Sequence, residues 1–275
     1  MSSPVRAAIL AGRRRPLVRG GSRPYPRRGD GFEIAELRAY VEGDDPRRID
    51  WAATARAGGM QVRVLLDEHA LCFGAIVDDS PSMSVGRRRT LREAAYEALD
   101  AWADALTRED RAIRIFDSGA EGVRLHGVRA AAHLRERGSP GAFDLRAALR
   151  IARAALPRDA ALLVVSDFFC ELDDDELREL AVHADCTALV ARDPWRGELP
   201  LRGFVRVRDA ESGDGRLVFL GRAQRRRLAG AVRAREETLR RKLASCGWRA
   251  GLLEESDGAA SLFAAFGLSP REAAR

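Results

Sequence analysis

The chain has 275 residues, of which 46% are hydrophobic and 32% charged, and its formal net charge is +6. This length suits one sizeable domain plus extensions, or at most two domains, and the apolar share can build a substantial core. The apolar runs fall far short of the roughly 18–20 residues that span a bilayer, and the arginine-bearing start lacks the apolar stretch of a secretory signal, so a cytoplasmic protein without a membrane span is expected.

Residues 1–30 hold eight arginines and one acid, a local charge of +7 that exceeds that of the whole chain. Rich in Arg, Gly, Pro and Ser, this basic arm is expected to be disordered. Residues 31–67 form a distinct N-terminal segment. Within it Gly43-Asp44-Asp45-Pro46 is turn chemistry, and Asp50 is placed to cap a short helix holding Trp51 and Thr54. The alternation over 60–67 (MQVRVLLD) reads as an edge strand leading into a main sheet.

From 68 to 268 the pattern becomes an alternation of strands and helices. Residues 71–77 read as a buried strand, and 90–106 as a helix with Leu91, Ala95, Leu99 and Trp102 at helical spacing. A short strand over 112–116, a helix over 144–156 and a second apolar strand over 161–166 follow. The helix over 171–184 opens with an acidic run that complements the positive end of its dipole. After a strand over 187–191, residues 205–207 and 217–220 flank Ser212-Gly213-Asp214-Gly215 as a small hairpin. A long helix over 222–246 carries nine basic residues from Arg222 to Lys242 against Glu236 and Glu237. A strand over 248–252, a helix over 258–266 and a tail over 269–275 close the chain. The alternation predicts an α/β fold, an open, mostly parallel sheet with helices on both faces, preceded by the N-terminal extension.

Cys72, Cys170, Cys186 and Cys246 form no C-x-x-C pair and read as free, buried thiols of a reducing compartment. His69, His126, His133 and His183 show no zinc-ligand spacing. The chemistry lies elsewhere. The strand over 71–77 ends in Asp78 and is followed by Ser80 and Ser82. Oxygens at i, i+2 and i+4 just past a strand can converge on one point, and one carboxylate with two hydroxyls is the hard, all-oxygen set that Mg²⁺ takes. The second apolar strand ends in Asp167. In a parallel sheet both strand ends open into the same crevice, where such sheets bind ligands. The plainer reading of 78–82 is good turn material.

The D-x-S-x-S pattern, with Met83 behind it, resembles the metal-ion-dependent adhesion site of von Willebrand factor A domains. The resemblance implies a von Willebrand A-like fold and a binding module whose Mg²⁺ is held by Asp78, Ser80, Ser82 and Asp167. That family usually adds a threonine from an intervening loop, in a Gly-Gly-Thr-Asp-Leu context. Here Gly141-Ala142-Phe143-Asp144-Leu145 stands in its place, and Phe143 offers no oxygen. Three outcomes stay open: Asp144 or Ser139 substitutes, the metal is held weakly, or metal binding has been lost.

Tyr40, Gly43-Asp44-Asp45-Pro46-Arg47-Arg48-Ile49-Asp50-Trp51 and Ala55-Arg56 resemble the signature of the bacterial family called domain of unknown function 58, which carries this segment before a von Willebrand A-like domain. Arg192-Asp193-Pro194 and Arg208-Asp209-Ala210-Glu211-Ser212-Gly213 fit the same pattern. Asp44, Asp45 and Asp50 can pair with Arg47, Arg48 or Arg56 beside Trp51, as a structural clasp or as a partner-docking surface. The resemblance implies a short form without membrane helices, a non-catalytic adaptor. It would act with a MoxR-type AAA+ ATPase in maturing or remodelling client proteins.

Catalysis is not expected. DDSPS is not the D-x-D-x-T of a haloacid-dehalogenase-type phosphatase, and a receiver domain needs a lysine on a late strand, whereas the only lysine, Lys242, lies in the basic helix. No Walker A, G-x-S-x-G or H-E-x-x-H motif is present. The alternative function is a metal-independent structural or nucleic-acid-binding protein using the Arg-rich arm and helix.

Overall fold

The computed structural model describes residues 5–6, 8–9, 34–42, 44–65, 72–106, 113–116, 123–125, 132, 134–135, 143–158, 160–192, 194, 201–209 and 213–268. They fall into two compact units: those from 34 to 65 form the smaller, and those from 5 to 9 together with those from 72 onward form the larger.

In the smaller unit β1 (Ile34–Ala39) pairs antiparallel with β2 (Gln61–Leu65), with Leu37 opposite Arg63 and Arg38 opposite Val62. A 3-10 turn (Pro46–Arg48) and α1 (Trp51–Ala57) connect them. Asp50 caps α1 by accepting from the Ala53 N–H at 2.9 Å, as expected. Gly58, at φ 70°, ends the helix in the left-handed conformation that glycine adopts without penalty. β2, expected as an edge strand leading into the main sheet, belongs to a separate two-stranded sheet. The reason is the hydrogen bonding of the connection, in which Tyr40 N–H donates to Met60 O and Asp50 N–H to Gln61 O, closing the strand pair on itself.

The larger unit is built on a six-stranded sheet. Its strands are β3 (Phe73–Val77), β4 (Ile113–Phe116), β5 (Val123–Leu125), β6 (Ala160–Ser166), β7 (Ala184–Ala191) and β10 (Arg249–Leu253), in the order β10-β7-β6-β3-β4-β5. Five are parallel, and the edge strand β5 runs antiparallel to β4. β5 is too short for alternation to reveal it in the sequence. Two strands, β8 (Gly203–Arg208) and β9 (Gly215–Leu220), form the expected hairpin apart from this sheet.

Side chains of the central strands alternate between two cores. Phe73, Ala75, Val77, Leu163 and Val165 pack with α2 (Leu91–Ala103) and α6 (Gly258–Ala265). Ile76, Leu162 and Val164 pack on the other face with α3 (Leu145–Ala155), α4 (Asp174–His183) and the end of α5 (Arg222–Ser245). Trp102 anchors the first core. It is fully buried, meets Phe73 edge-on at 5.4 Å and donates its indole N–H to Gly74 O at 3.1 Å. α6 lies so close to α2 that a Cβ at Gly258 would stand 1.8 Å from Ala94 O.

Val5, Arg6, Ala8 and Ile9 are helical, and Val5 and Ile9 are fully buried in the α2-side core. The expectation of a disordered arm is therefore corrected for these residues. Their i, i+4 spacing gives one apolar face to bury, and that outweighs the local arginine content. Residues 10–30 of the arm and the tail over 269–275 lie outside the described residues. Cys72, Cys186 and Cys246 are buried and free, but Cys170 is exposed, correcting its reading as a buried thiol.

Candidate functional site

The chain enters the large sheet at central β3, passes through α2 to β4 on one side, and returns through α3 to β6 on the other. The loops leaving β3 and β6 therefore diverge onto opposite faces and open a crevice at the carboxyl ends of these two strands. Asp78 follows β3, and its N–H donates to Val165 O at 2.8 Å, extending the β3–β6 ladder by one step. Asp167 follows β6. The two acids expected to share a crevice stand on the neighbouring strands that form it.

Asp78 Oδ1 accepts from the Ser80 N–H at 3.0 Å, an Asx-type turn that folds the loop back over the strand end. Asp78 Oδ2 accepts from Ser166 Oγ at 2.6 Å. The Ser80 and Ser82 hydroxyls lie 2.9 Å apart. A 3-10 turn (Pro81–Ser84) carries them and is pinned by the fully buried Met83. Asp78 is only 5% exposed. Burial pushes its carboxyl above the ordinary carboxylate range, hydrogen bonds from Ser166 and Ser80 pull it down, and the Asp167 charge adds to the rise. A buried carboxylate beside a second carboxylate favours a cation between them. By their chemistry, Asp78, Ser80, Ser82 and Asp167 are the hard oxygen donors that an ion such as Mg²⁺ takes. Among the described residues no group of three or more His, Cys, Asp or Glu side chains is arranged for a metal, so a cation here depends on the serine hydroxyls.

The loop after β6 is held under strain. Phe168, buried, adopts φ 53°, a conformation that costs a non-glycine residue about 1–3 kcal/mol. Three contacts maintain it. Ser166 Oγ accepts from the Phe168 N–H at 3.0 Å, Asp167 Oδ1 accepts from the Phe169 N–H at 2.9 Å, and Arg235 of α5 donates to Phe168 O at 2.7 Å. The Arg235 guanidinium also donates to Asp167 O and stacks 3.7 Å from the centre of the Phe169 ring.

Phe143 packs against the α3-side core and supplies no oxygen to the crevice. Asp144 caps α3, its Oδ1 accepting from the Ala147 N–H at 3.0 Å. Although Cys170 is exposed at the surface, partial desolvation by its neighbours raises its thiol, and the charges of Asp167, Asp144 and Asp78 add to that rise while Arg146 opposes it. Ser139, the other expected substitute, lies outside the described residues. Asp79 turns the opposite way. It is buried, pairs with the Arg92 guanidinium and accepts from the Tyr96 hydroxyl at 3.2 Å, while Arg92 also donates to Asp79 O and Ser80 O. α2 thereby fastens the loop from behind.

Sequence reasoning missed Ser166, Arg92, Tyr96 and Arg235. Only Ser166 left a signal, as a lone hydroxyl closing an apolar strand immediately before Asp167. The acidic residues of the acidic–arginine string also take partners outside it. Asp44 takes a two-pronged pair from Arg38 at 2.8 and 2.6 Å, and Asp50 faces Arg63 at 3.8 Å. Asp45 accepts from the Arg47 backbone N–H at 2.9 Å. The strand pairing decides this, because it lays Arg38 and Arg63 across from one another's neighbours beside the turn, whereas the side chains of Arg47 and Arg56 are exposed. Trp51, at 69% exposure, packs into no core, while Ile49 is buried.

Comparison with known proteins gives the family. The family model described as protein of unknown function DUF58 matches residues 36–238. Uncharacterized proteins of Mycobacterium tuberculosis and Mycobacterium bovis are each 30% identical over 234 residues, covering 80% of this chain and 73% of theirs. Two solved structures are also similar. A membrane protein from Bacteroides fragilis described as aerotolerance-related matches at 13% identity and a TM-score of 0.34, covering 64% of this chain and 99% of its own. The conserved hypothetical protein BatB from Bacteroides thetaiotaomicron matches at 12% identity and a TM-score of 0.35, covering 64% and 98%. With a family match across most of its length and relatives at this identity, the chain belongs to the DUF58 family.

Proposed function

We propose that this protein is a non-catalytic interaction adaptor that binds a partner carboxylate through a von Willebrand A-like, Mg²⁺-assisted site. The observation that carries the reading is the crevice between β3 and β6. There the Asp78 carboxyl is buried and feels the charge of Asp167, and the Ser80 and Ser82 hydroxyls meet just past the same strand, which supports the reading. Asp144, which caps α3, is the group that would compensate for Phe143. Mg²⁺ held by these oxygens would supply an open coordination position for an acidic side chain of the partner. Ser166 keeps Asp78 aimed into the crevice, and Arg235 fixes the Asp167 loop. The family resemblance suggests a MoxR-type AAA+ ATPase as the working partner, acting on client proteins in the cytoplasm. Among the described residues no helix is long and apolar enough to cross a membrane. The rival use of α5 as a nucleic-acid face draws less support, since Arg235 and Lys242 bond loop carbonyls and Arg241 pairs with Glu237.

Titration of Mg²⁺ and Mn²⁺ by calorimetry tests this on the wild type and on Asp78→Ala. Saturable binding lost in the variant supports the site and leads to a metal-dependent pull-down of a MoxR-type ATPase. A wild type that binds neither ion removes metal-bridged recognition.

A further inference from the structure

The hairpin of β8 and β9 takes no part in the crevice. Its register sets Phe204 opposite Phe219, Arg206 opposite Leu217 and Arg208 opposite Gly215. Alternate residues of a strand share a side, so these six lie on one face. That face is bare: Phe204 is 75% exposed, Leu217 67% and Phe219 54%. The two rings meet edge-on at 5.2 Å. On the reverse face Val205 and Val218 are half-buried and Leu220 is buried, while Val207 and Arg216 are exposed. The three bare side chains leave on the order of 300–400 Å² of apolar surface in water, a size at which contiguous patches mark interaction sites. Among the described residues β8 and β9 pair only with each other, so each keeps an outer edge for a further strand. Residues 201–230, spanning the hairpin and the start of α5, hold eight arginines against three acids.

We infer that this ribbon docks an extended, acidic segment of another protein. The segment's apolar side chains cover Phe204, Leu217 and Phe219, and its carboxylates meet Arg206 and Arg208. Strand addition supplies backbone hydrogen bonds, and side chains at alternate positions supply selectivity. Arginine forks accept carboxylates in a two-pronged geometry. The order of residues along the hairpin disfavours the other occupants. A bilayer would need the apolar groups at the tip, but the aromatic pair lies at the root, next to α5, and the turn carries Asp209 and Asp214, which anionic headgroups repel. A second copy laid face to face would bring like-charged arginines together. The surface uses none of the crevice residues and needs no metal.

The test is fluorescence anisotropy with the full chain in EDTA. The probe is a labelled synthetic peptide of about ten residues, roughly twice the usual strand length, alternating Glu with Val or Leu, beside a counterpart with Gln in place of Glu. Saturable binding of the Glu peptide is expected, weakened roughly tenfold or more by Phe204→Ser/Phe219→Ser and by Arg206→Glu/Arg208→Glu. Asp78→Ala should bind as the wild type does. All four hairpin positions are exposed, and circular dichroism checks that the variants keep the fold. The inference is overturned if the Glu peptide fails to saturate at millimolar concentration, or if the Gln peptide binds equally well. It is also overturned if the serine variant abolishes binding to phosphatidylglycerol vesicles, or dissolves a dimer seen by sedimentation. EDTA and Asp78→Ala keep its failure separate from failure of the metal site.

Discussion

Replacing Ser166 by Ala tests how the crevice is held together. The Ser166 hydroxyl donates to Asp78 Oδ2 at 2.6 Å and accepts from the Phe168 N–H at 3.0 Å, both in buried surroundings. Alanine removes a charge-assisted bond worth about 1.5–3 kcal/mol and strands a buried N–H at a residue already in a strained conformation. The combined loss is about 2–4 kcal/mol, since part of each cost is relieved by relaxation. With a urea m-value of roughly 2–3 kcal/mol/M for a unit of this size, the midpoint falls by on the order of 1 M. The assay is urea unfolding in EDTA at neutral pH, so that no metal contributes. A double-mutant cycle with Asp78→Ala isolates the pair, and a coupling of at least about 1 kcal/mol is expected. A cost below about 0.5 kcal/mol for Ser166→Ala, or additive effects in the cycle, would refute the claim that Ser166 positions Asp78.

Three further outcomes follow from the geometry. Asp78 holds its proton more tightly in the folded state than at the ordinary value of 3.8, chiefly through burial, so its contribution to stability is full below that value and is lost as pH rises through the folded one. In EDTA the urea midpoint of the wild type should therefore fall more than that of Asp78→Asn as pH rises above 3.8, and the variant should gain nothing from added Mg²⁺; parallel pH profiles would mean that the carboxylate is already compensated. Burial and the Asp79 charge push Tyr96 up to about 12, so the folded state keeps a proton that the unfolded chain releases near 10, and stability declines between those two pH values. Spectrophotometric titration should show this late tyrosine in the wild type and not in Tyr96→Phe. Finally, Gly258→Ala would drive a methyl group onto Ala94 O and should cost about 1–3 kcal/mol by thermal unfolding, with no change in the metal titration.

Much of the architecture is legible in local pattern. The Asp50 cap, the hairpin around the turn at 213–214 and the helix beginning at Arg222 are each written in a few neighbouring residues, because capping, turn chemistry and side-chain period act over one or two turns of chain. The D-x-S-x-S loop belongs to this class too. Its internal bond from Ser80 to Asp78 spans two residues, and its serines could be placed on one side of the loop without knowledge of the sheet.

What crosses the sheet was decided only by tertiary structure. Asp78 meets Ser166 because β3 and β6 pair with Val77 opposite Val165, a register that no local signal encodes. The same holds for Arg235, 67 residues from the carbonyl it grips, and for Val5 and Ile9, whose burial needs the α2-side core to be in place. Asp44 meets Arg38 because the β1–β2 pair presents it at the turn. By itself, then, the sequence determined the element types, the α/β class and the oxygen-rich loop at Asp78, since these depend on spacing along the chain. Strand order, register and the partners that fix Asp78, Asp79 and Phe168 were settled by packing, because long-range pairing is selected by the shared burial of many side chains and not by any one of them.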